Sequence, residues 1–248
     1  MLVKDVNAAE EVELAFWRDS PTERPGSNSI DNLLNKASEA RVFMEKLRRF
    51  AEDFGRARRI LELGAGQAWA SCLVKRFYPA AEVVATDLSP AALAGLANWP
   101  PIFGGQPLAA SRRAYSVPFA DSSFDLAFAF AAAHHFRRHR SALREVARVL
   151  RPGGKALFLH EPTCHEYIYP FAYRRVNRKR PEVPEDVLVR ARIRRLAAEC
   201  GLAASVHLAP TGTDRDPVPG AYYLMLRKIP VLQKMLPCTA DFELQKAR

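Results

Sequence analysis

The chain has 248 residues, 48% of them hydrophobic, so it is long enough to bury the core of one α/β domain with additions. It lacks an apolar run of about 18 residues, which excludes a membrane span, and its four scattered cysteines indicate reduced thiols in a cytoplasmic protein. The net charge of +10 is uneven, because residues 171–195 hold nine Lys or Arg against three Asp or Glu, and residues 1–35 hold three against seven.

The N-terminal part, residues 1–55, predicts a helical cap. A short helix is expected over residues 9–17, followed by a turn-rich loop. A longer helix is expected over residues 30–54, where apolar residues recur at helical spacing. We expect this longer helix to close over a bound ligand.

The stretch RRILELGAGQA, residues 58–68, predicts a buried strand, a tight turn and the start of a helix. Its apolar run contains Glu62 and is followed by Gly64 and Gly66. A residue without a Cβ lets the backbone turn sharply and lie against a ligand.

A second apolar run ends in Asp87, which lies 25 residues after Glu62. A carboxylate at the end of the second strand of a βαβ unit is where a ribose diol is held, so the pair predicts a nucleoside cofactor. A third glycine at the spacing of dinucleotide-binding enzymes is missing. Glu62 repels a pyrophosphate but suits a cationic ligand with an amino acid moiety.

With this motif the chain resembles the class I S-adenosylmethionine (SAM) dependent methyltransferases. Their first motif is an apolar strand followed by Glu/Asp-x-Gly-x-Gly-x-Gly, with Ala68 here at the last position. The resemblance continues in residues 117–126, like the segment that leads into the fourth strand, and in residues 143–155, like the helix, Pro-Gly-Gly turn and fifth strand. It covers residues 58–161 and implies a Rossmann-like seven-stranded, mostly parallel sheet with helices on both faces, a helical cap and an insert after strand five.

The resemblance implies SAM as cofactor and S-adenosylhomocysteine as product. Residues 112–116 contain no carboxylate beside the expected adenine, so Tyr115, Ser116 or backbone groups are expected there. The cofactor-binding residues that the resemblance implies are Glu62, Gly64, Ala65, Gly66, Asp87, Leu88, Tyr115, Ser116 and Ala131.

His134 and His135 are the candidate catalytic residues. They follow an apolar run over residues 124–133, which predicts the fourth strand. An imidazole is well suited to removing a proton from an acceptor hydroxyl or amine near neutral pH. Because a strand presents alternate residues to opposite sides, we expect one of the two to reach the pocket.

Residues 160–180 supply the candidate acceptor contacts. Histidines and carboxylates come first, and aromatic residues interleaved with basic ones follow. The spacing does not favour a metal site. The candidates are His160, Glu161, His165, Tyr169, Tyr173 and Arg174.

Three functions remain open at this stage. The first is methyl transfer from SAM to an oxygen or nitrogen of a small or glycan-type, anionic acceptor that Arg side chains hold. The second is an RNA methyltransferase that uses the basic face of residues 171–195. The third is a protein that binds SAM without transferring its methyl group.

The last part, residues 162–248, predicts an acceptor-side insert and the end of the same sheet, and residues 56–161 form the cofactor-binding core of one structural domain. A helix is expected over residues 187–200, stopped by Gly201. Two strands are expected over residues 203–209 and 221–228, followed by an irregular tail. The oligomeric state does not follow from the sequence.

Overall fold

A computed structural model of the chain describes residues 6–21, 23, 29–179, 185–212 and 217–248. Its strands form one sheet in the order β3-β2-β1-β4-β5-β8-β7, with the short β6 paired to β5. The strands are β1 (Arg59–Leu63), β2 (Glu82–Asp87), β3 (Leu108–Ser111), β4 (Phe124–Phe130), β5 (Leu150–Cys164), β6 (Leu188–Val189), β7 (Leu202–Leu208) and β8 (Cys238–Lys246).

The sheet is parallel from β3 to β5, and β8 runs antiparallel to both β5 and β7. This confirms the predicted Rossmann-like, mostly parallel sheet. The strand order reverses between β1 and β4, where an open α/β sheet has a crevice at the carboxyl ends of its strands. The motif residues at the ends of β1, β2 and β4 therefore meet at one edge.

Helices lie on both faces of the sheet. In the described part of the chain, none of them is long and apolar enough to cross a membrane. The helices are α1 (Val6–Asp19), α2 (Ile30–Arg49), α3 (Ala51–Arg56), α4 (Trp69–Phe77), α5 (Pro90–Ala94), α6 (Pro100–Phe103), α7 (His139–Val149), α8 (Tyr169–Lys179), α9 (Arg190–Glu199), α10 (Pro217–Lys228) and α11 (Pro230–Met235).

The two hydrophobic layers follow from alternation along the central strands. On β4, Leu126 and Phe128 pack into the layer beneath α2 and α4, whereas Ala127 and Ala129 pack into the layer beneath α7 and α9. All four side chains are buried. A strand covered on both faces reads as a continuous apolar run, which is why β4 is recognisable in the sequence.

The N-terminal helices occur where the sequence predicts them, with one interruption. Ser29 caps α2, its hydroxyl accepting from the backbone N–H of Asn32 at 3.4 Å. The predicted single helix over residues 30–54 breaks at Phe50, which lies between α2 and α3 with φ −103° and ψ 24°. The loop prediction before Ser29 falls mostly outside the described residues.

The prediction for the C-terminal strands was half wrong. Residues 221–228 lie in α10, because Ala, Leu, Met, Arg and Lys favour a helix. The strand β8 lies instead in the predicted tail and pairs with β5 and β7. The charged Asp241 interrupts the apolar pattern of β8, so the sequence did not indicate a strand there. The Asp241 carboxylate is stable inside the fold because the Lys46 ammonium of α2 lies 2.9 Å from it.

Candidate active site

The glycine turn lies directly after β1 and needs residues without a Cβ. Gly64 has φ +67° and Gly66 has φ +53°. A Cβ on Gly64 would lie 2.8 Å from the Cβ of Ala132, in the segment after β4. Ala65 donates its backbone N–H to the carbonyl of Thr86 at 2.9 Å. The turn is thus held against the ends of two neighbouring strands.

Glu62 is buried beneath this turn and contributes to the wall of the cavity described below. The Ser71 hydroxyl donates to its carboxylate at 2.5 Å. Burial raises the pKa of Glu62 to about 8, and the Ser71 hydrogen bond opposes part of that rise. Burial therefore favours the protonated form of the Glu62 carboxyl in the free protein.

Asp87 ends β2 and faces the same cavity. Its two carboxylate oxygens accept from the backbone N–H of Gly66 at 2.7 Å and of Ser89 at 2.8 Å. Burial raises the pKa of Asp87, and the two N–H donors oppose the rise. Each oxygen retains a lone pair that can accept from a ligand hydroxyl. Leu88 lines the cavity beside it.

Of the two predicted adenine contacts, the structure places only Tyr115 at the cavity. Its hydroxyl donates to Glu10 of α1, and Arg113 pairs with the same carboxylate at 2.9 Å. Ser116 is exposed and outside the cavity wall, because the bridge between Arg113 and Ser116 turns it towards solvent. The prediction for Ser116 is not supported by this position.

The N-terminal helices bring charged residues to the cavity that the sequence did not single out. Lys36 of α2 is buried between Glu23 at 3.2 Å and Glu39 at 3.3 Å. Glu13 of α1 also lines the cavity, where burial and the nearby Asp87 raise its pKa to about 7. Only the acidic bias of residues 1–35 signalled these groups.

Gln67 connects the glycine turn to the cap. It is buried, and its amide donates to the backbone carbonyl of Glu23 at 2.9 Å. Its side-chain oxygen accepts from Trp99 at 3.2 Å and from Asn32 of α2 at 3.3 Å. The cap is therefore fixed to the glycine turn by hydrogen bonds.

Both candidate histidines line the cavity, contrary to the prediction that one would. β4 ends at Phe130, and His134 and His135 lie in a short 3-10 turn, Ala133–His135, so strand alternation does not apply. Their ring centroids are 4.2 Å apart. Ala131, at the start of this segment, also lines the cavity and has φ +47°.

Glu161 lies behind the histidines and not in the cavity wall. Its fully buried carboxylate accepts the backbone N–H of Ala132 at 3.1 Å, Ala133 at 2.9 Å and His134 at 3.1 Å. It also contacts Nδ1 of His134 at 2.8 Å. Its position does not support the predicted acceptor contact for Glu161, because the carboxylate holds this loop and the His134 ring.

The Glu161 contact defines the chemistry of His134. A hydrogen on Nδ1 directed at the carboxylate leaves Nε2 as the free proton acceptor. Burial lowers the pKa of His134, but the hydrogen bond and charge of Glu161, with Glu185 and Glu13, outweigh burial and raise it above its usual range. His134 is thus an oriented imidazole of increased proton affinity.

His134, His135 and Glu185 form a group that we call the histidine cluster. Their ligand atoms lie within 4.8 Å of one another, so among the described residues this group is able to hold a metal ion. The sequence prediction gave no metal site, because Glu185 is separated from the histidines by some 50 residues.

His160 lines the cavity as predicted, although not as a base. Burial, with Lys46 and His134 nearby, lowers its pKa to about 3, so the ring is neutral. It stacks on Phe130 at 5.6 Å and contacts the Thr211 hydroxyl at 3.2 Å. His160 has φ +58°, and its N–H donates to Asp241 at 2.9 Å.

The remaining predicted acceptor contacts do not line the cavity. Arg174 and His165 are exposed, and Tyr169 donates to Asp186 at 2.8 Å with Tyr173 beside it. For Tyr169, Tyr173 and Arg174 the helix period explains this position, because the face of α8 towards the cavity carries other residues. Those residues are Ala172, Arg175 and Val176.

The cavity that the lining residues enclose has a volume of about 700 Å³, within the usual size range of small-molecule sites. The glycine turn, Glu62 and Asp87 form one part of its wall, and the histidines form another. The part contributed by β5, α8, α10 and the start of β8 is mainly apolar or aromatic. Its residues include Pro162, Ala172, Val176, Val187, Pro219, Tyr222, Tyr223 and Pro237.

Comparison with known proteins identifies the core. A family model described as a methyltransferase domain matches residues 61–158. A malonyl-[acyl-carrier protein] O-methyltransferase of Halorhodospira halophila is 37% identical over 111 residues, which are 44% of this chain and 37% of that protein. The demethylmenaquinone methyltransferase of Thermus thermophilus is 32% identical over 120 residues, 47% of this chain and 53% of that protein. The core of the chain, residues 61–158, is therefore similar to the class I SAM-dependent methyltransferases.

The structural likeness extends beyond the matched core. The geranyl diphosphate C-methyltransferase of Streptomyces coelicolor has a TM-score of 0.71 at 11% identity, covering 97% of this chain and 98% of that one. A SAM complex of phosphoethanolamine N-methyltransferase 2 from Haemonchus contortus has a TM-score of 0.63 at 15% identity, covering 95% and 60%. These likenesses show the fold alone. The chain spans about half or less of the length of the two sequence relatives described above.

Proposed function

We propose that this protein binds SAM at the glycine turn and transfers its methyl group to an oxygen of a small acceptor held beside His134. The observation that carries the proposal is the Glu161–His134 pair, at 2.8 Å, in the same cavity as the glycine turn. The names of several sequence relatives, including the malonyl-[acyl-carrier protein] enzyme, specify O-methylation.

The cofactor side of the cavity suits each part of SAM. Gly64 and Gly66 let the backbone approach the ligand, and Asp87 retains lone pairs for the ribose diol. Glu62 offers a carboxylate to the cationic methionine end. Lys36 of α2, which also lines the cavity between Glu23 and Glu39, offers a positive charge to the methionine carboxylate. Tyr115 lies where the adenine side is expected.

Methyl transfer then needs alignment and one proton acceptor. The acceptor oxygen attacks the methyl carbon, the bond from that carbon to the sulfonium sulfur breaks, and neutral S-adenosylhomocysteine remains. The hydroxyl proton passes to Nε2 of His134, while Glu161 holds Nδ1–H. Alignment in an enclosed cavity supplies much of the acceleration. Because the pKa of His134 is raised, the rate should increase with pH through a value above the usual 6.5.

The acceptor wall favours a small molecule with an apolar body over a glycan. An anionic group on such a molecule can meet Arg175, whose guanidinium lies 5.2 Å from the Tyr222 ring centre at the cavity wall. The RNA alternative uses the basic face of residues 171–195 with aromatic residues that stack on bases, and one nearby aromatic hydroxyl, that of Tyr169, is bonded to Asp186 within the fold. We therefore propose a small, partly apolar acceptor with an acidic group.

The proposal is tested with SAM carrying a radiolabelled methyl group and a dialysed cell extract, separated afterwards into lipid, small-molecule, glycan, RNA and protein fractions. We expect label in the lipid or small-molecule fraction. His134→Gln should lower the initial rate by about 10²–10⁴-fold with SAM binding retained. The control is His165→Gln, an exposed histidine outside the cavity wall, which should leave the rate unchanged.

Label in RNA would refute the proposed acceptor class. If SAM binds but no fraction acquires label, the result would favour the third function, a protein that binds SAM without transferring its methyl group. An unchanged rate in His134→Gln would refute the assignment of the base.

A further inference from the structure

The segments that wall the acceptor side of the cavity expose large apolar side chains to solvent. They are the 3-10 turn Glu166–Ile168 with α8, and α10 with α11. Six large apolar residues there are between 45% and 64% exposed. They are Tyr167, Phe171, Leu224, Ile229, Val231 and Met235. We call these residues the apolar rim.

The same segments are strongly basic. Residues 165–179 and 217–236 together contain seven Lys or Arg against one acidic residue, Glu166. That carboxylate pairs with Arg192 of α9 at 2.8 Å. On α8 the exposed face combines Phe171 with Arg174 and Arg178. Apolar and cationic side chains therefore share the exposed face of α8, and the one carboxylate within these two stretches is paired with Arg192.

The two segments meet around the cavity. The Tyr167 hydroxyl donates to the backbone carbonyl of Met235, which ties the start of α8 to α11. Arg175 of α8 lies over the Tyr222 ring of α10. Val176 and Tyr222 line the cavity from these helices. The helices that carry the apolar rim thus also form the acceptor wall.

We propose that the apolar rim docks on an anionic membrane surface and that the cavity takes its acceptor from that membrane. Helices that mix exposed apolar side chains with Lys and Arg bind at the boundary of headgroups and acyl chains. Anionic headgroups add attraction for each nearby cation. Membrane docking itself is independent of catalysis, whereas the delivery of an acceptor rests on the proposed methyl transfer.

The composition of the apolar rim favours a membrane over nucleic acid. Four of its six members are aliphatic or thioether side chains, which bury in hydrocarbon but do not stack on bases. The Tyr169 hydroxyl, on the same helix, donates to Asp186 within the fold. A basic surface on which four exposed aliphatic or thioether side chains outnumber the two exposed rings, Tyr167 and Phe171, is better matched to lipid.

The test is co-sedimentation of the full chain with vesicles of phosphatidylcholine alone or mixed with phosphatidylglycerol. We expect binding to the mixed vesicles that weakens with salt. The double variant Phe171→Ser/Val231→Ser should reduce the partition coefficient at least about tenfold. Arg174→Gln should reduce it about fivefold.

The matched control is Phe77→Ser/Ile102→Ser, which removes residues that are 52% and 53% exposed on α4 and α6, away from the cavity wall. Its partition should equal that of the unaltered protein, and circular dichroism should show both double variants folded. The proposal would be overturned if both double variants lost partition equally or if the protein did not bind mixed vesicles. Tighter binding to single-stranded RNA than to vesicles would overturn it as well. Vesicle binding without methyl transfer would refute only the proposed function, and transfer to a soluble acceptor without vesicle binding would refute only the docking.

Discussion

Replacing Glu161 by Gln tests the arrangement on which the proposed base depends. One carboxylate oxygen accepts two backbone N–H groups, from Ala132 and Ala133. The other accepts the backbone N–H of His134 and contacts Nδ1 of its ring. A glutamine has one acceptor oxygen, so its NH₂ group must face one of these donor pairs.

The cost of the substitution follows from these four contacts. If the amide oxygen remains with Ala132 and Ala133, the contacts to the His134 N–H and ring are lost. Hydrogen bonds to a charged group contribute about 1.5–3 kcal/mol each, so we expect a loss of about 3–6 kcal/mol in the free energy of unfolding. The NH₂ group also favours a His134 ring with its hydrogen on Nε2, which is the wrong tautomer for the proposed base.

The prediction is measured in two ways that need no acceptor. In ¹⁵N-edited spectra of the imidazole rings, the pKa of His134 should lie above its usual range in the unaltered protein. In Glu161→Gln the pKa of His134 should fall, because the charge of Glu161 no longer opposes the lowering of that pKa by burial. Urea unfolding gives the second readout. Because folding raises the pKa of His134, the stabilisation is complete below the unfolded pKa and is lost as the pH rises through the folded one. The difference between the two proteins should therefore be larger at about pH 6 than at about pH 8.5.

A control variant separates this effect from the general loss of a carboxylate. Glu145 also accepts a backbone N–H, that of Val117 at 2.8 Å, and pairs with Arg148. Glu145→Gln should destabilise the protein without changing the pKa of His134. An unchanged His134 pKa in Glu161→Gln would refute the reasoning.

Three further predictions concern the cofactor and the histidine cluster. SAM binding near pH 7 should release about one proton, because free Glu62 has a pKa of about 8. Calorimetry in two buffers of different ionisation enthalpy measures this release. Glu62→Gln should release none, and an equal release from both proteins would contradict the assignment. Gly64→Ala should weaken SAM binding at least about tenfold, because the new Cβ would lie 2.8 Å from the Cβ of Ala132. The control Gly201→Ala, at φ +77° with open space around it, should lower the free energy of unfolding by only about 1–2 kcal/mol. Chelator treatment should leave the methyl-transfer rate unchanged, and a loss that Zn²⁺ or Mn²⁺ restores would assign a metal to the histidine cluster.

The sequence predicted the parts of the fold that local rules determine. The glycine turn, the acidic end of β2 and the apolar run of β4 each carry a signal within about ten residues. The strand β8 did not, because its pairing with β5 and β7 is long-range and its buried Asp241 depends on Lys46, 195 positions earlier. The tyrosines and leucines of residues 221–228 gave the opposite error, an apolar run that forms a helix.

The residues of the candidate site likewise fall into those that local sequence rules predict and those that depend on long-range contacts. Glu62, Gly64 and Asp87 were predictable, because strand ends determine where they lie. The role of Glu161 was not, since it depends on the loop after β4 folding back over β5. On α8, the composition indicated that the helix matters, but only its rotation about its own axis showed that Arg175 and not Arg174 lines the cavity.

Titration calorimetry with SAM tests the central claim most directly, because it needs no acceptor. We expect one SAM per chain, displaced by S-adenosylhomocysteine, with NAD giving no heat. Asp87→Asn should weaken SAM binding at least about tenfold, because a charged acceptor for the ribose diol is lost. Absence of SAM binding, or NAD binding that SAM does not displace, would contradict the assignment of this cavity to a methyl donor.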